Sequence, residues 1–264
     1  MTEELSMKPN AQKGVFITFE GGEGAGKSTH IRFLTEALHA QGREVLSLRE
    51  PGGTAIGEEL RAVLLDPDNE AMSDEAELLI YEAARAQIVA EVIRPALERG
   101  AVVLCDRFSD STVAYQVYGR GLSADFVARA NAFACQGIRP DRTILLVTGG
   151  TAETGLRRAT HNDGADRLER AGEEFHTRVN EAFLDIARKD PDRIRIVKSA
   201  DRKSVTAASV FYALSDLFPW MADASTCDEG FFAPLDAARV PVARDGGHQH
   251  GSAGMGNVSG QRGA

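Results

Sequence analysis

Residues 21–28 read GGEGAGKS, a match to G-x-x-x-x-G-K-[ST], set between an apolar β-rich run at 15–19 (VFITF) and a helical pattern over 28–40. No other feature restricts the chain so tightly. Glycines let consecutive backbone N–H groups converge on one anion, and a helix starting at the lysine points the positive end of its dipole at the same spot. The strand–loop–helix context separates this phosphate cradle from an accidental glycine turn. Gly21, Gly22, Glu23, Gly24, Ala25, Gly26, Lys27, Ser28 and Thr29 are therefore expected to hold the phosphates of a nucleoside triphosphate. Lys27 would bridge its β- and γ-phosphates, and the Ser28 hydroxyl would ligate Mg²⁺.

The remaining pattern alternates strands with helices. Ile31, Leu34, Ala37 and Leu38 recur at helical spacing, and Gly42 follows as a stop. A strand at 44–48 (EVLSL) leads into a REPGGT loop, and Ser73 is an N-cap for a long helical pattern over 74–99. Pro95 should bend that helix and Gly100 should end it. The run AVVLC at 101–105 has no polar alternation, as expected of a centre strand buried on both faces. Strands at 142–147 and 193–197 complete five. The predicted fold class is α/β: a P-loop NTPase-type, five-stranded parallel sheet flanked by helices. The domain is expected over residues 14–220, after a flexible segment at 1–13. Residues 221–264 read as a disordered tail, being rich in glycine and small polar residues without a sustained period, with docking of Phe231 and Phe232 onto the domain as the minor alternative.

The net charge of −9 disfavours nucleic acid and anionic membranes as partners, so affinity for phosphate must come from a local cationic cluster. Three cysteines without a CxxC pair give no disulfide framework. No apolar run approaches the ~18–20 residues that span a bilayer, and there is no secretory h-region, so the cytoplasm is expected.

What receives the phosphoryl group is read from arginines, whose forked donors match two phosphate oxygens at once. No Asn-Lys-x-Asp guanine reader is present, and the central strand ends VVLCDRF, one acid followed by Arg107. Arg49 and Arg107 lie just past strand ends, at the carboxyl edge where open parallel sheets bind ligands. Arg85 falls four residues after Tyr81, so ring and guanidinium share a helix face. This set points to an acceptor that already carries phosphate, a nucleoside monophosphate. Its second pKa is about 6, so its oxygen is a competent nucleophile at neutral pH without a general base.

These residues sit in motifs that resemble bacterial thymidylate kinases (dTMP kinases) from residue 15 to about 219. The shared pieces are FEGGEGAGKST, REPGGT, EELRAVLLD, ELLIYEAARAQ, CDRFSDSTVAYQ with GRGL after it, and DRLE before FHTRVNEAFLDIA. The resemblance implies transfer from ATP to dTMP, giving dTDP for dTTP synthesis, with Mg²⁺ and a homodimer. It also implies roles for residues: Tyr81 stacks on thymine, Arg85 reads the base edge, and Thr112 and Gln116 make polar contacts to the base. Tyr115 crowds the sugar 2′ position, Arg49 and Arg107 clamp the acceptor phosphate, and Glu23 holds the 3′-hydroxyl. Asp106 contacts the metal through water, and Arg61 supports the site from a helix.

Relatives whose glycine loop lacks an arginine, as here with Ala25, supply arginines from a lid. The corresponding stretch is 157–169 (RRATHNDGADRLE), where Arg158 and Arg167 are the expected lid arginines. Lys27, Arg107, Arg158, Arg167 and Glu23 are thus the expected catalytic set. Two alternatives stay open on the residues alone. One is a kinase for another deoxynucleotide or a nucleoside; the other is an ATP-binding regulatory module whose transfer chemistry has weakened.

Overall fold

Five strands order the computed structural model, which describes residues 13–149 and 167–237. They are β1 (Val15–Glu20), β2 (Val45–Arg49), β3 (Val102–Asp106), β4 (Arg142–Val147) and β5 (Ile194–Lys198), all parallel, in the order β2-β3-β1-β4-β5. The three inner strands are buried almost end to end, whereas β2 and β5 alternate buried with exposed residues, as edge strands do. Each strand lies within a residue of its sequence expectation. The register is level at the carboxyl ends, with Asp106 facing Phe19 on one side and Arg49 on the other. The glycine loop after β1, the REPGGT loop after β2 and the Arg107 turn after β3 therefore emerge side by side.

Helix α1 (Lys27–Ala40) follows the glycine loop, α2 (Ala55–Leu65) follows REPGGT, and α3 (Asp74–Ile88) starts at Ser73, whose hydroxyl accepts from the Ala76 N–H at 3.2 Å. The bend expected near Pro95 takes the form of a π-helical stretch, Val89–Ile93, before α4 (Arg94–Glu98). Proline has no N–H to give the Glu91 carbonyl and its ring crowds that oxygen, so the preceding turn widens, and Arg94 N–H bonds to Val89. Helix α5 (Ser109–Thr112) runs directly into a second π stretch, Val113–Gly119. Then come α6 (Ala124–Cys135), α7 (Glu173–Lys189) and α8 (Lys203–Ala213). One core lies between the sheet and α1 and α8; a second lies beneath α3 and α4 on the opposite face.

The tail expectation needs correction. Past Trp220 the chain continues as two short helices, α9 (Glu229–Phe232) and α10 (Pro234–Ala237). Phe232 and Leu235 are buried, and Phe231 and Phe232 join Phe33 of α1 and Phe211 of α8 in one aromatic cluster, with the Phe211 and Phe232 centroids 5.2 Å apart. Asp236 accepts from Ser204 N–H at 3.0 Å and Ser204 Oγ at 2.7 Å, capping α8 from outside. Four-residue helices are too short to show a period, so the pattern that signals order was missing although the burial was not. Expectations for residues 1–12, 150–166 and 238–264 fall outside the described residues.

His30 of α1 is buried beside Lys203, and burial, then that charge, lowers its pKa from 6.5 to about 4. A histidine held neutral in the fold stabilises above its unfolded pKa and loses that contribution as pH falls from 6.5 toward 4. Urea unfolding should show the native chain losing about 2 kcal/mol more between pH 7 and pH 5 than His30→Gln does. Phe232→Ala should cost about 3 kcal/mol in the same measurement at pH 7, since it empties a buried ring site.

Candidate active site

The glycine loop wraps tightly because it must pass close to β4. A Cβ on Gly21 would stand 2.3 Å from the Leu146 carbonyl oxygen, and Gly21 has φ +132°, outside the range of ordinary side chains. Gly24 and Gly26 also adopt positive φ, and α1 begins after Gly26 with no side-chain cap and no acid in its first turn. The free N–H groups at that end are left for an anion. Lys27 is buried and folds back over the loop, donating to the Gly21 carbonyl at 3.1 Å and the Gly22 carbonyl at 3.2 Å. Burial and the neighbouring Arg107 lower its pKa. Ser28 Oγ donates to Asp106 Oδ2 at 3.0 Å, so two hard oxygen donors meet at the mouth of the cradle.

One cleft of about 490 Å³ opens at this edge of the sheet. On the loop side it is lined by Glu23, Gly24, Ala25, Gly26, Lys27, Ser28 and Thr29. Across from them stand Arg49, Asp106 and Arg107, and deeper in lie Tyr81, Arg85, Thr112, Tyr115 and Gln116. Residues that the sequence scatters over ninety positions thus share one hollow. Gly21 and Gly22 do not face it; they border a separate cavity of about 340 Å³ against α7. Gly21 contributes its carbonyl instead, which accepts from both Lys27 and Arg107.

Arg107 is the hinge of the arrangement. Its backbone is left-handed, with φ +71°, a conformation costing about 1–2 kcal/mol in a non-glycine residue. The turn is held because Arg107 N–H donates to the Phe19 carbonyl at 2.9 Å. Its guanidinium pairs with Glu23, donates to the Gly21 carbonyl and Ser111 Oγ, both at 3.2 Å, and lies 5.2 Å from the Tyr115 ring centroid. Burial opposes ionisation of Glu23, yet the charges of Arg107 and Lys27 outweigh it and hold that carboxyl down to about 2. Tyr115 Oη also donates to Glu23, at 3.4 Å. Arg49 is half exposed, paired with Glu58 at 2.9 Å and bonded to the Pro51 carbonyl, which Arg61 also engages at 3.0 Å.

At the floor, Arg85 is buried and strongly networked. It donates to Glu50 at 2.9 Å, Glu82 at 3.2 Å, Thr112 at 2.8 Å and Asn131 at 2.7 Å, and sits 5.2 Å from the Phe108 ring. Burial raises the Glu50 pKa to about 7 despite Arg85. Gln116 donates to Glu77, which also takes Arg120 and Arg167.

The lid assignment is only partly placed. Arg158 lies outside the described residues. Arg167 does not line the cleft: its Nε donates to the Leu64 carbonyl at 2.8 Å and its Nη2 stands 2.6 Å from Glu77. It is buried against helices α2 and α3, because Glu77, itself without solvent, needs cations around it. Glu50, Pro51, Leu65, Phe108, Ser111, Leu168 and His176, to which the sequence motifs assign no role, also line the cleft, and Glu20 lies behind it. Most of these lie beside residues already singled out, and their roles depend on chain direction rather than on residue type.

A family model described as thymidylate kinase matches residues 19–210. The thymidylate kinase of Geobacter sulfurreducens is 48% identical over 210 residues, covering 78% of this chain and 99% of that protein. That of Pseudomonas syringae pv. syringae is 50% identical over 206 residues, covering 78% and 95%. A crystal structure of thymidylate kinase from Ehrlichia chaffeensis superposes with a TM-score of 0.63 at 30% identity, over 76% of this chain and 99% of that one.

Gly21→Ala should destabilise the chain by about 2 kcal/mol or more, since its methyl has no room against β4 and its backbone is strained. Urea unfolding reads the stability, and calorimetric titration with ATP should show weakened binding in the same variant.

Proposed function

The chain belongs to the thymidylate kinase family and phosphorylates dTMP, and we propose that Arg49 and Arg107 hold the acceptor phosphate against the glycine loop that cradles ATP. The observation that carries this is the shared cleft, in which both arginines and the phosphate loop border the same space. Transfer between two anions needs alignment and neutralisation more than proton chemistry. Lys27 and the free N–H groups of α1 draw the donor phosphates to one wall. Arg107, fixed by Glu23 and the Gly21 carbonyl, presents its remaining donor capacity to the acceptor from the other.

The oxygen pair Ser28 and Asp106 fits Mg²⁺, which takes few protein ligands and completes its shell with phosphate oxygens and water. Bound there, the ion supplies charge neutralisation on the donor phosphates. Tyr81 and Arg85 take the base, one by its ring and the other by its edge, with Thr112 and Gln116 bordering the same pocket. Tyr115 crowds the sugar beside Glu23, which receives the 3′-hydroxyl. Arg158 completes the cationic set from the lid. Exposed Ile56 and Val63 of α2, Leu79 of α3, and Phe126 and Phe133 of α6 offer an apolar face for a homodimer. No helix among the described residues is long and apolar enough to cross a membrane, and a cytoplasmic enzyme acting on soluble nucleotides accords with that.

Coupled measurement of ADP release with dTMP, dUMP, dCMP, dGMP and AMP should give the highest kcat/KM for dTMP. ATP binding without release for any acceptor would overturn the reading in favour of a regulatory module. Arg107→Ala should lower kcat/KM for dTMP by about 100-fold in a chain that still folds, and Arg158→Ala should also lower kcat.

A further inference from the structure

We infer that Glu20 is a positioning residue of the acceptor site: buried behind the cleft, its carboxylate holds the corner that aims Arg107 at the acceptor phosphate. This rests on the reading of Arg107 as the phosphate clamp and extends it to a residue that cannot touch substrate. Glu20 ends β1, is 1% exposed, and is absent from the cleft lining.

Both of its oxygens reach across to the turn after β3. Oε1 accepts the Phe108 N–H at 2.8 Å, and Oε2 accepts the Ser111 hydroxyl at 2.6 Å. The Ser111 oxygen in turn accepts from Arg107 Nη1 at 3.2 Å, forming a relay from carboxylate to guanidinium. The anchored corner is the left-handed Arg107 backbone, which needs outside support to persist. The same anchor fixes Phe108, whose ring backs Arg85 at 5.2 Å and meets Phe16 edge-on at 4.9 Å. One buried acid thereby steadies groups on both the phosphate side and the base side of the cleft.

The chemistry of the relay makes the inference testable. A carboxylate accepts from both donors at once; an amide of the same shape does not. In Glu20→Gln the amide oxygen must serve the Phe108 N–H, which cannot turn. The NH₂ then faces Ser111, whose hydroxyl has to accept from it and so competes with Arg107. Ser111→Ala removes the relay while leaving the Phe108 bond in place, and Ser111→Thr restores a hydroxyl.

The experiment is steady-state kinetics on the full chain, varying dTMP and ATP separately, with Tm recorded for each variant. Ser111→Ala and Glu20→Gln should each raise the KM for dTMP about five-fold or more, as expected for one lost bond to a charged group. The KM for ATP should stay within about two-fold, and Ser111→Thr should recover most of the native value. Arg107→Ala is run alongside. If it leaves the dTMP KM unchanged, the clamp reading itself fails. If it raises that KM while folded Ser111→Ala and Glu20→Gln do not, or if both nucleotides weaken equally, the role of Glu20 is overturned and the clamp survives. Should Glu20→Gln fail to fold, the Ser111 pair decides alone.

Discussion

Three parallel strands end at one height, and the site depends on that alignment. Because Phe19, Asp106 and Arg49 are in register, the loops that follow leave the sheet together and their charges share a single hollow. A one-residue slip of β3 would turn Asp106 to the opposite face of the sheet and displace the turn at Arg107, because side-chain direction alternates along a strand. Precision in an ionic site therefore originates in neutral backbone pairing.

The second constraint is electrostatic. A chain of net charge −9 concentrates cations at one edge and keeps them apart by interposing buried acids. Glu23 stands between Arg107 and Lys27, Glu50 and Glu82 flank Arg85, and Glu77 gathers Arg120 and Arg167. Arg85 and Arg107, which border the cleft, are thus oriented before any nucleotide arrives, which lowers the ordering cost of binding. The cost is borne by carboxylates pushed away from their ordinary range, as with Glu50 at about 7 and Glu20, raised by burial and by Asp110.

Much of this was legible in the sequence. GGEGAGKS between a strand and a helix marked the glycine loop, and apolar runs such as AVVLC located the inner strands because a sheet covered on both faces favours apolar side chains. Arg49 and Arg107 are expected at the carboxyl edge because they follow strand ends, and both line the cleft there. Arg167 is expected at the phosphates from its residue type, but here its guanidinium faces Glu77, a contact ninety residues away that no local pattern encodes. Glu20 escaped for a similar reason, since its partners come from the turn after another strand. The helices beyond residue 220 escaped because they are too brief to repeat.

Those last helices bear on how the chain can be handled. Phe231 and Phe232 cover Phe33 and Phe211, rings on the two helices that back the phosphate loop's side of the sheet. Shortening the protein at residue 220, where the regular pattern stops, would lay those rings bare as a sticky apolar surface. Poor solubility in such a trimmed chain would then reflect an uncovered aromatic seam, with the catalytic edge itself left intact.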